Sequence, residues 1–468
     1  MMGGEEICYM SATKLSAAIK AKRLSPVEVI DALLERIERI NPKINAFVTL
    51  LADEARDAAK KAEKEIYGGK DLGPLHGIPV SIKDNIFTKG VRTTFGSRLY
   101  ENFIPDEDCA FVERLKKAGA IILGKTNLPE FGLIGTTDNP VFGPTKNPWD
   151  MTRSPGGSSG GAAASAAACL GPLHQGNDGG GSIRIPASLC GVYGLKPQIG
   201  RVPRLPSLHG WETLSCEGPI TRTVEDAALL LTIMAGPDDR DRSSLPDQDM
   251  GLMKAVKEDA RGLKIAWSPD LGYATVDPEV LEITEKAALG FQGLGCEVEE
   301  ITPSLLNIES DWLVIVASET ATAVEEKRQE WERVMYPGYK PFMSLADALK
   351  AKDMVLTQFH REDHWAGLRK VFETYDLLLT PTTPVAAFDI GIMGPEKIDG
   401  KDVAPTALAA FTIPFNFSGQ PAATIPCGFT REGLPVGLQI IGRRFDEATI
   451  IRASASFERA YPWADKRP

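Results

Sequence analysis

Apolar residues return at helical spacing early in the chain. Ile30, Leu33, Leu34 and Ile37 share one face of a 3.6-residue period. Ahead of them Ser25 can cap, Pro26 takes the first helical position, and Glu28 stands three residues after the cap as in a capping box. The pattern predicts a helix that Asn41-Pro42 stops. An Ala/Lys/Glu-rich helix is predicted around 51–65. Residues 73–79 are turn-rich, and 80–83 read as a short strand ending in Asp84-Asn85. Residues 111–117 read as helix and 120–123 as a buried strand. A Gly/Ser-rich tract at 152–161 gives way to an Ala-rich helix running to about Cys169. Helix follows at 223–234, strand at 264–267 and helix at 279–294. About 303–400 is the least patterned stretch, with long helices and few turns. A strand at 436–441 and a closing helix at 446–459 end the pattern.

Strands and helices alternate throughout, which favours α/β architecture. No internal repeat occurs, and no Pro- or Ser-rich linker is long enough to divide the chain. One large domain is therefore expected, although 468 residues would allow about three.

Charge and cysteine usage narrow the function. Lys plus Arg is 52 and Asp plus Glu is 63, a net charge of −11. A phosphate-backbone binder needs a basic face, so nucleic acid is not an expected direct partner. The seven cysteines are scattered without a C-x-x-C pair, which reads as buried thiols in a reducing compartment. The acidic start lacks an apolar signal core. The most apolar stretches, 161–171 and 226–236, are too short to cross a bilayer. The expected location is cytoplasmic, without membrane association. Asn416-Phe417-Ser418 matches a glycosylation sequon by chance on this reading.

Three motifs compete for the chemistry and fail on context. Residues 119–126 spell a Walker A match, but Ala120 to Leu123 resemble a strand and Pro129 does not suit the helix a P-loop opens. His360 and His364 sit at i, i+4, yet Arg361 and Asp363 occupy positions where the zinc-protease patterns need Glu. Gly156-Gly157-Ser158-Ser159-Gly160 fits G-x-S-x-G, but no strand precedes it and no late His stands in a catalytic turn.

A fourth constellation is more coherent. It joins Ser81-Ile82-Lys83-Asp84-Asn85, the tract 156–161, and Asp178-Gly179-Gly180-Gly181-Ser182-Ile183-Arg184. Successive glycines let backbone N–H groups converge on one point and stabilise an oxyanion. A serine beside them is a candidate nucleophile. Serine needs a base, and a buried Lys can serve once its pKa falls toward neutrality. Lys83 ends an apolar strand and is the candidate.

These residues resemble the amidase signature family. Lys83 and Ser158 are 75 apart and Ser158 and Ser182 are 24 apart, in agreement with the family pattern. Leu195-Lys196-Pro197, 218–227, Gly419-Gln420-Pro421-Ala422 and 433–439 also look like family segments. The likeness covers nearly the whole chain and is weakest at about 240–400. It implies a mixed twisted β-sheet covered by helices on both faces, in a single domain over 1–468. N-terminal helices would occupy about 1–70, the catalytic core about 71–240, a variable substrate-side region about 300–400, and returning strands and a helix about 405–462.

The resemblance further implies that Ser182 attacks a carbonyl carbon, that Ser158, joined to Gly157 by a cis peptide, relays the proton, and that Lys83 receives it. The amides of Gly179, Gly180, Gly181 and Ser182 would form the oxyanion hole. Ser159, Asp178 and Arg184 would hold the loop. An acyl-enzyme would form, and neither metal nor organic cofactor is expected. Asn177 and Gly179 depart from the family by standing where Thr is common, and His174-Gln175 replace small apolar residues. Leu133, Ile134, Thr136 and Trp211 are candidate pocket residues.

The expected substrates are small carboxamides, namely aryl and alkyl amides and anilides, with carbamates (urethanes) and esters open to the same chemistry. Residues 142–150 resemble the A subunit of glutamyl-tRNA amidotransferase, so a glutamine-hydrolysing component of such a complex is an alternative. The stretch 207–211 differs from that protein. Another alternative is a non-catalytic scaffold of the same fold. A monomer or homodimer is expected.

Overall fold

The computed structural model describes residues 3–208 and 210–468. Met1 and Met2 of the acidic start, and His209 within the 207–211 stretch, lie outside the described residues.

The capping box forms: Val27 N donates to Ser25 Oγ at 2.9 Å, and Ser25 N donates to Glu28 Oε2 at 2.8 Å. The helix Pro26–Ile44 buries Val29, Ile30, Leu33, Leu34 and Ile37. It runs past Pro42, against the expected stop. A proline in the last turn removes only one intrahelical bond. Asn41 compensates, accepting from Asn45 N through its carbonyl at 2.7 Å and from Ala46 N and Phe47 N through Oδ1 at 2.9 and 2.8 Å. Asn45, at φ 53°, then closes the helix in the left-handed region.

An 11-stranded mixed sheet forms the centre. Its order is Phe47–Leu50, Ile121–Thr126, Pro79–Lys83, Leu173–Asp178, Cys216–Thr221, Tyr193–Lys196, Ala422–Phe429, Pro435–Gly442, Leu377–Pro381, Lys264–Trp267 and Glu297–Glu300. Pro79–Lys83 runs parallel to both neighbours, whereas Leu173–Asp178 is antiparallel to Cys216–Thr221. Successive strand residues point to opposite faces. Ala423, Ile425, Leu438 and Ile440 accordingly join one apolar cluster, while Ala422, Ile441 and Leu378 join another with Phe411 and Phe415. The sheet is thus buried on both sides, as the single-domain α/β expectation requires.

The strand expected at 120–123 extends over Ile121–Thr126. Gly124, Lys125 and Thr126 of the Walker-like match are therefore strand, and Lys125 is buried with its Nζ donating to Ile86 O at 2.5 Å and Thr93 Oγ1 at 2.9 Å. No phosphate-cradling loop exists there. The Ala-rich helix is Gly160–Ala167, buried along its whole length. A Cβ on Gly161 would lie 2.3 Å from Asn127 N. That contact is why the helix opens on glycine before turning to alanine.

The weakly patterned region folds into helices, chiefly Glu309–Val324, Arg328–Val334, Lys340–Ala348 and Ala351–Thr374. The buried Glu130 carboxylate docks the second of these and the chain just after it, accepting from Trp331 Nε1 at 2.8 Å and Tyr336 N at 3.0 Å as well as from Ser97 Oγ at 2.6 Å. His360 Nδ1 lies 2.7 Å from Asp311 Oδ1, and buried His364 Nε2 lies 3.2 Å from Pro414 O. The two imidazoles have separate partners and form no ligand pair. Every cysteine is free, and all but Cys427 are buried. Among the described residues, no helix is long and apolar enough to cross a membrane.

Candidate active site

Lys83 ends the Pro79–Lys83 strand with its side chain wholly buried. Its Nζ contacts Ser158 Oγ at 2.7 Å, Ser159 Oγ at 2.9 Å and Asn177 Oδ1 at 2.6 Å. Burial pulls the amine down from 10.5 to about 7, opposed by the Glu217 and Asp178 carboxylates. The neutral amine is therefore accessible near pH 7.

Hydrogen-bond accounting then orients that amine. A neutral amine has two N–H bonds and one lone pair. Asn177 Oδ1 can only accept. Ser159 Oγ donates to Asn177 O at 3.1 Å and accepts from Asn177 N at 3.3 Å, so toward Lys83 it is an acceptor as well. The lone pair is left facing the Ser158 hydroxyl, which can donate to it.

Ser158 follows a cis Gly157–Ser158 peptide. A Cβ on Gly157 would meet Thr136 O at 2.7 Å. Ser182 is brought to the same place by the Ser159 N–H, which donates to Ser182 O at 3.1 Å. Both serines line one cavity of about 210 Å³.

The glycine loop is clamped. Trp312 Nε1 donates to Gly179 O at 2.9 Å, and Thr412 Oγ1 donates to Gly180 O at 2.7 Å. A Cβ on Gly179 would lie 2.3 Å from Trp211 Cε3, and one on Gly180 would lie 2.7 Å from Trp312 Cζ2. The two indoles meet edge to face at 5.7 Å. The absence of side chains at Gly179 and Gly180 thus admits the two indoles.

One of the four amides expected to face an oxyanion is engaged within the protein. The Gly181 N–H donates to Asp178 Oδ1 at 2.7 Å, and a donor aimed at a buried carboxylate does not face a substrate oxygen. The amides of Gly179, Gly180 and Ser182 have no acceptor among the described residues.

Asp178 and Arg184 form a fully buried ion pair at 2.8 Å. Burial alone would raise the Asp178 pKa, but Arg184, Lys196 and Asn416 hold it well below the usual carboxylate range. Arg184 also donates to Thr412 O at 3.0 Å, Gln439 Oε1 at 2.7 Å and Asn416 Oδ1 at 2.6 Å. Asn416 is wholly buried here, so its sequon offers no accessible amide.

The pocket candidates divide. Trp211 lines the Ser182 cavity, together with Phe95, Tyr100, Phe131, Glu217 and Arg204. Leu133 and Ile134 line a separate cavity of about 130 Å³ bounded by Trp312. Thr136 is buried behind Gly157, its hydroxyl 2.8 Å from Ser154 Oγ. Sequence reasoning missed Trp312, Thr412, Asn416, Gln439 and Glu217. Of these, Gln439 closes the family-like segment 433–439 and Glu217 stands immediately before the family-like Gly218-Pro219; the other three carried no such signal.

A Lys–Ser–Ser cluster beside a glycine-rich turn on a mixed α/β sheet defines a class of serine hydrolase. The Amidase family model matches residues 28–451. The chain belongs to the amidase signature family, whose enzymes hydrolyse amide C–N bonds. It is 40% identical over 470 residues to an acylamidase of Rhodococcus erythropolis, covering 100% of this chain and 98% of that one. It is 37% identical to the A subunit of glutamyl-tRNA(Gln) amidotransferase from Moorella thermoacetica, covering 99% of each chain. The crystal structure of a bacterial aryl acylamidase superposes with a TM-score of 0.92 at 33% identity, over 98% of this chain and 99% of that one.

Proposed function

We propose that the chain is a free-standing acylamidase. It cleaves the C–N bond of aryl and alkyl carboxamides and anilides through an acyl-enzyme on Ser182, and carbamates and esters fall within reach of the same chemistry. The observation that carries this reading is the buried Lys83 amine, 2.7 Å from Ser158 Oγ. Ser158 passes its proton to Lys83 as it takes that of Ser182, and Ser182 Oγ bonds to the carbonyl carbon. The amides of Gly179, Gly180 and Ser182 receive the developing oxyanion, where one such donor contributes roughly 3–4 kcal/mol. Lys83 returns the proton to the leaving nitrogen, and water then releases the acid.

The aromatic side chains of Phe95, Tyr100 and Phe131 along the cavity favour an aryl group. They pack together, with ring centroids 5.2 Å apart for Phe95 and Tyr100 and 6.0 Å apart for Tyr100 and Phe131. The test is intact mass after exposure to a fluorophosphonate, on wild type and Ser182→Ala, followed by a panel of anilides, esters, carbamates and glutamine. One adduct on wild type only, with anilide turnover, is the expected result. Ammonia from glutamine with no anilide turnover would favour the amidotransferase reading, which the 37% identity to the Moorella protein supports. Absence of both adduct and turnover would favour a scaffold.

A further inference from the structure

Glu217 lies in the Cys216–Thr221 strand, almost wholly buried, and lines the Ser182 cavity. Strand register pairs it with Asn177, the residue whose Oδ1 accepts from Lys83. Gln175 ties it to the lysine a second way. Gln175 Nε2 donates to Glu217 Oε2 at 2.6 Å, while Gln175 Oε1 accepts from the Lys83 backbone N–H at 3.1 Å, next to the root of the lysine side chain. The relay described above does not use this carboxylate.

Two cations act on Glu217, Arg204 and Lys83. Asp178 is held by Arg184. The Arg204 guanidinium is near enough to favour the Glu217 anion, yet its Nη2 donates to Gly210 O at 2.8 Å, and the two form no ion pair among the described residues. The neighbouring Cys109 and Cys216 thiols are kept neutral by burial.

We propose that Glu217 is the counter-ion for the Lys83 ammonium that forms when Ser182 attacks. It is a positioning residue, acting through Lys83, and the inference rests on the triad reading. As the Ser182 Oγ–C bond forms, the carbonyl π electrons move to oxygen. The Ser182 proton moves to Ser158, and the Ser158 proton moves to Lys83. A positive charge appears on a wholly buried side chain. Such a charge is costly unless an opposite charge is fixed nearby. When the C–N bond breaks, Lys83 returns its proton through Ser158 to the nitrogen and the charge disappears. Burial pushes the Glu217 carboxyl up to about 7, opposed by the Arg204 and Lys83 cations, and a proton arriving on Lys83 favours the Glu217 anion further.

The experiment is the pH profile of kcat and KM for an anilide, and of the fluorophosphonate labelling rate, in wild type, Glu217→Gln and Ser182→Ala. Removing the negative charge favours the neutral amine. The acid limb of Glu217→Gln should move about 1 unit to lower pH and its plateau kcat should fall roughly tenfold. KM should stay within about twofold. An unmoved limb overturns the proposal, as does a raised KM with unchanged kcat, which would make Glu217 a substrate contact. Should Glu217→Gln fail to fold, Gln175→Leu unties the carboxylate and should move the limb the same way; a fixed limb there overturns the proposal equally. If Ser182→Ala still labels or turns over, the triad reading is what fails.

Discussion

The indole N–H of Trp312 donates to the carbonyl of Gly179 across 2.9 Å of space and 133 residues of chain. That single bond fixes the first glycine of the loop carrying Ser182. Trp312→Phe keeps a ring but removes the donor. It should cost about 1–3 kcal/mol in urea unfolding, the usual consequence of an unpaired buried carbonyl. Anilide kcat should fall as well. Lost stability with unchanged kcat would separate the clamp from catalysis.

Gly179→Ala should reduce kcat/KM by roughly tenfold or more, because its Cβ would sit 2.3 Å from the Trp211 ring. Trp211→Gly in the same chain removes the obstructing ring. Partial recovery in the double variant, measured as a double-mutant cycle, is the expected outcome. Independent, additive losses would refute the steric explanation.

Activity should rise with pH through a midpoint near 7, where Lys83 loses its proton. Folding stability should respond to the same residue. The folded amine is depressed to about 7 from 10.5. Between those values the unfolded chain binds the extra proton, so wild type gains stability as pH rises, fully by the unfolded value, and loses it as pH falls through 7. Lys83→Met should lack this gain. Chemical denaturation of both proteins at pH 7 and pH 9.5 reads the difference, and parallel behaviour would contradict the assignment.

Arg184→Met should be among the most damaging substitutions in the protein. It strands the buried Asp178 charge, a loss of about 3–5 kcal/mol. A thermal melt reads the effect directly. A near-wild-type transition would show that Asp178 is held by its other partners alone.

Local chemistry was legible wherever its partners lay close in sequence. The Ser25–Glu28 box, the strand ending at Lys83 and the glycine-rich turn before Ser182 were all visible in short windows. The helix end was misplaced because Asn41 supplies three acceptor contacts that no residue pattern reports. Two of the four pocket candidates line a different cavity for a backbone reason. Phe131 and Gly132 line the Ser182 cavity, but both have positive φ, at 52° and 75°, and the chain turns so that Leu133 and Ile134 line the other cavity. The clamp was invisible because Trp312, Thr412 and Asn416 belong to distant segments that only tertiary packing brings to the loop.

Arg184 reaches Thr412, Asn416 and Gln439, which lie 228 to 255 residues further along the chain. Synthesis from the N-terminus therefore places Lys83, Ser158 and Ser182 outside the ribosome long before their loop can be locked. A nascent fragment ending after Glu217 holds every group of the proposed relay, yet lacks the strand Pro435–Gly442 and the short helix Ile413–Phe417 that hold Arg184. On the proposed mechanism, a chain lacking its last quarter is expected to show no acylating serine. Two separately made halves, split in the exposed turn near 240, should become reactive only when they meet.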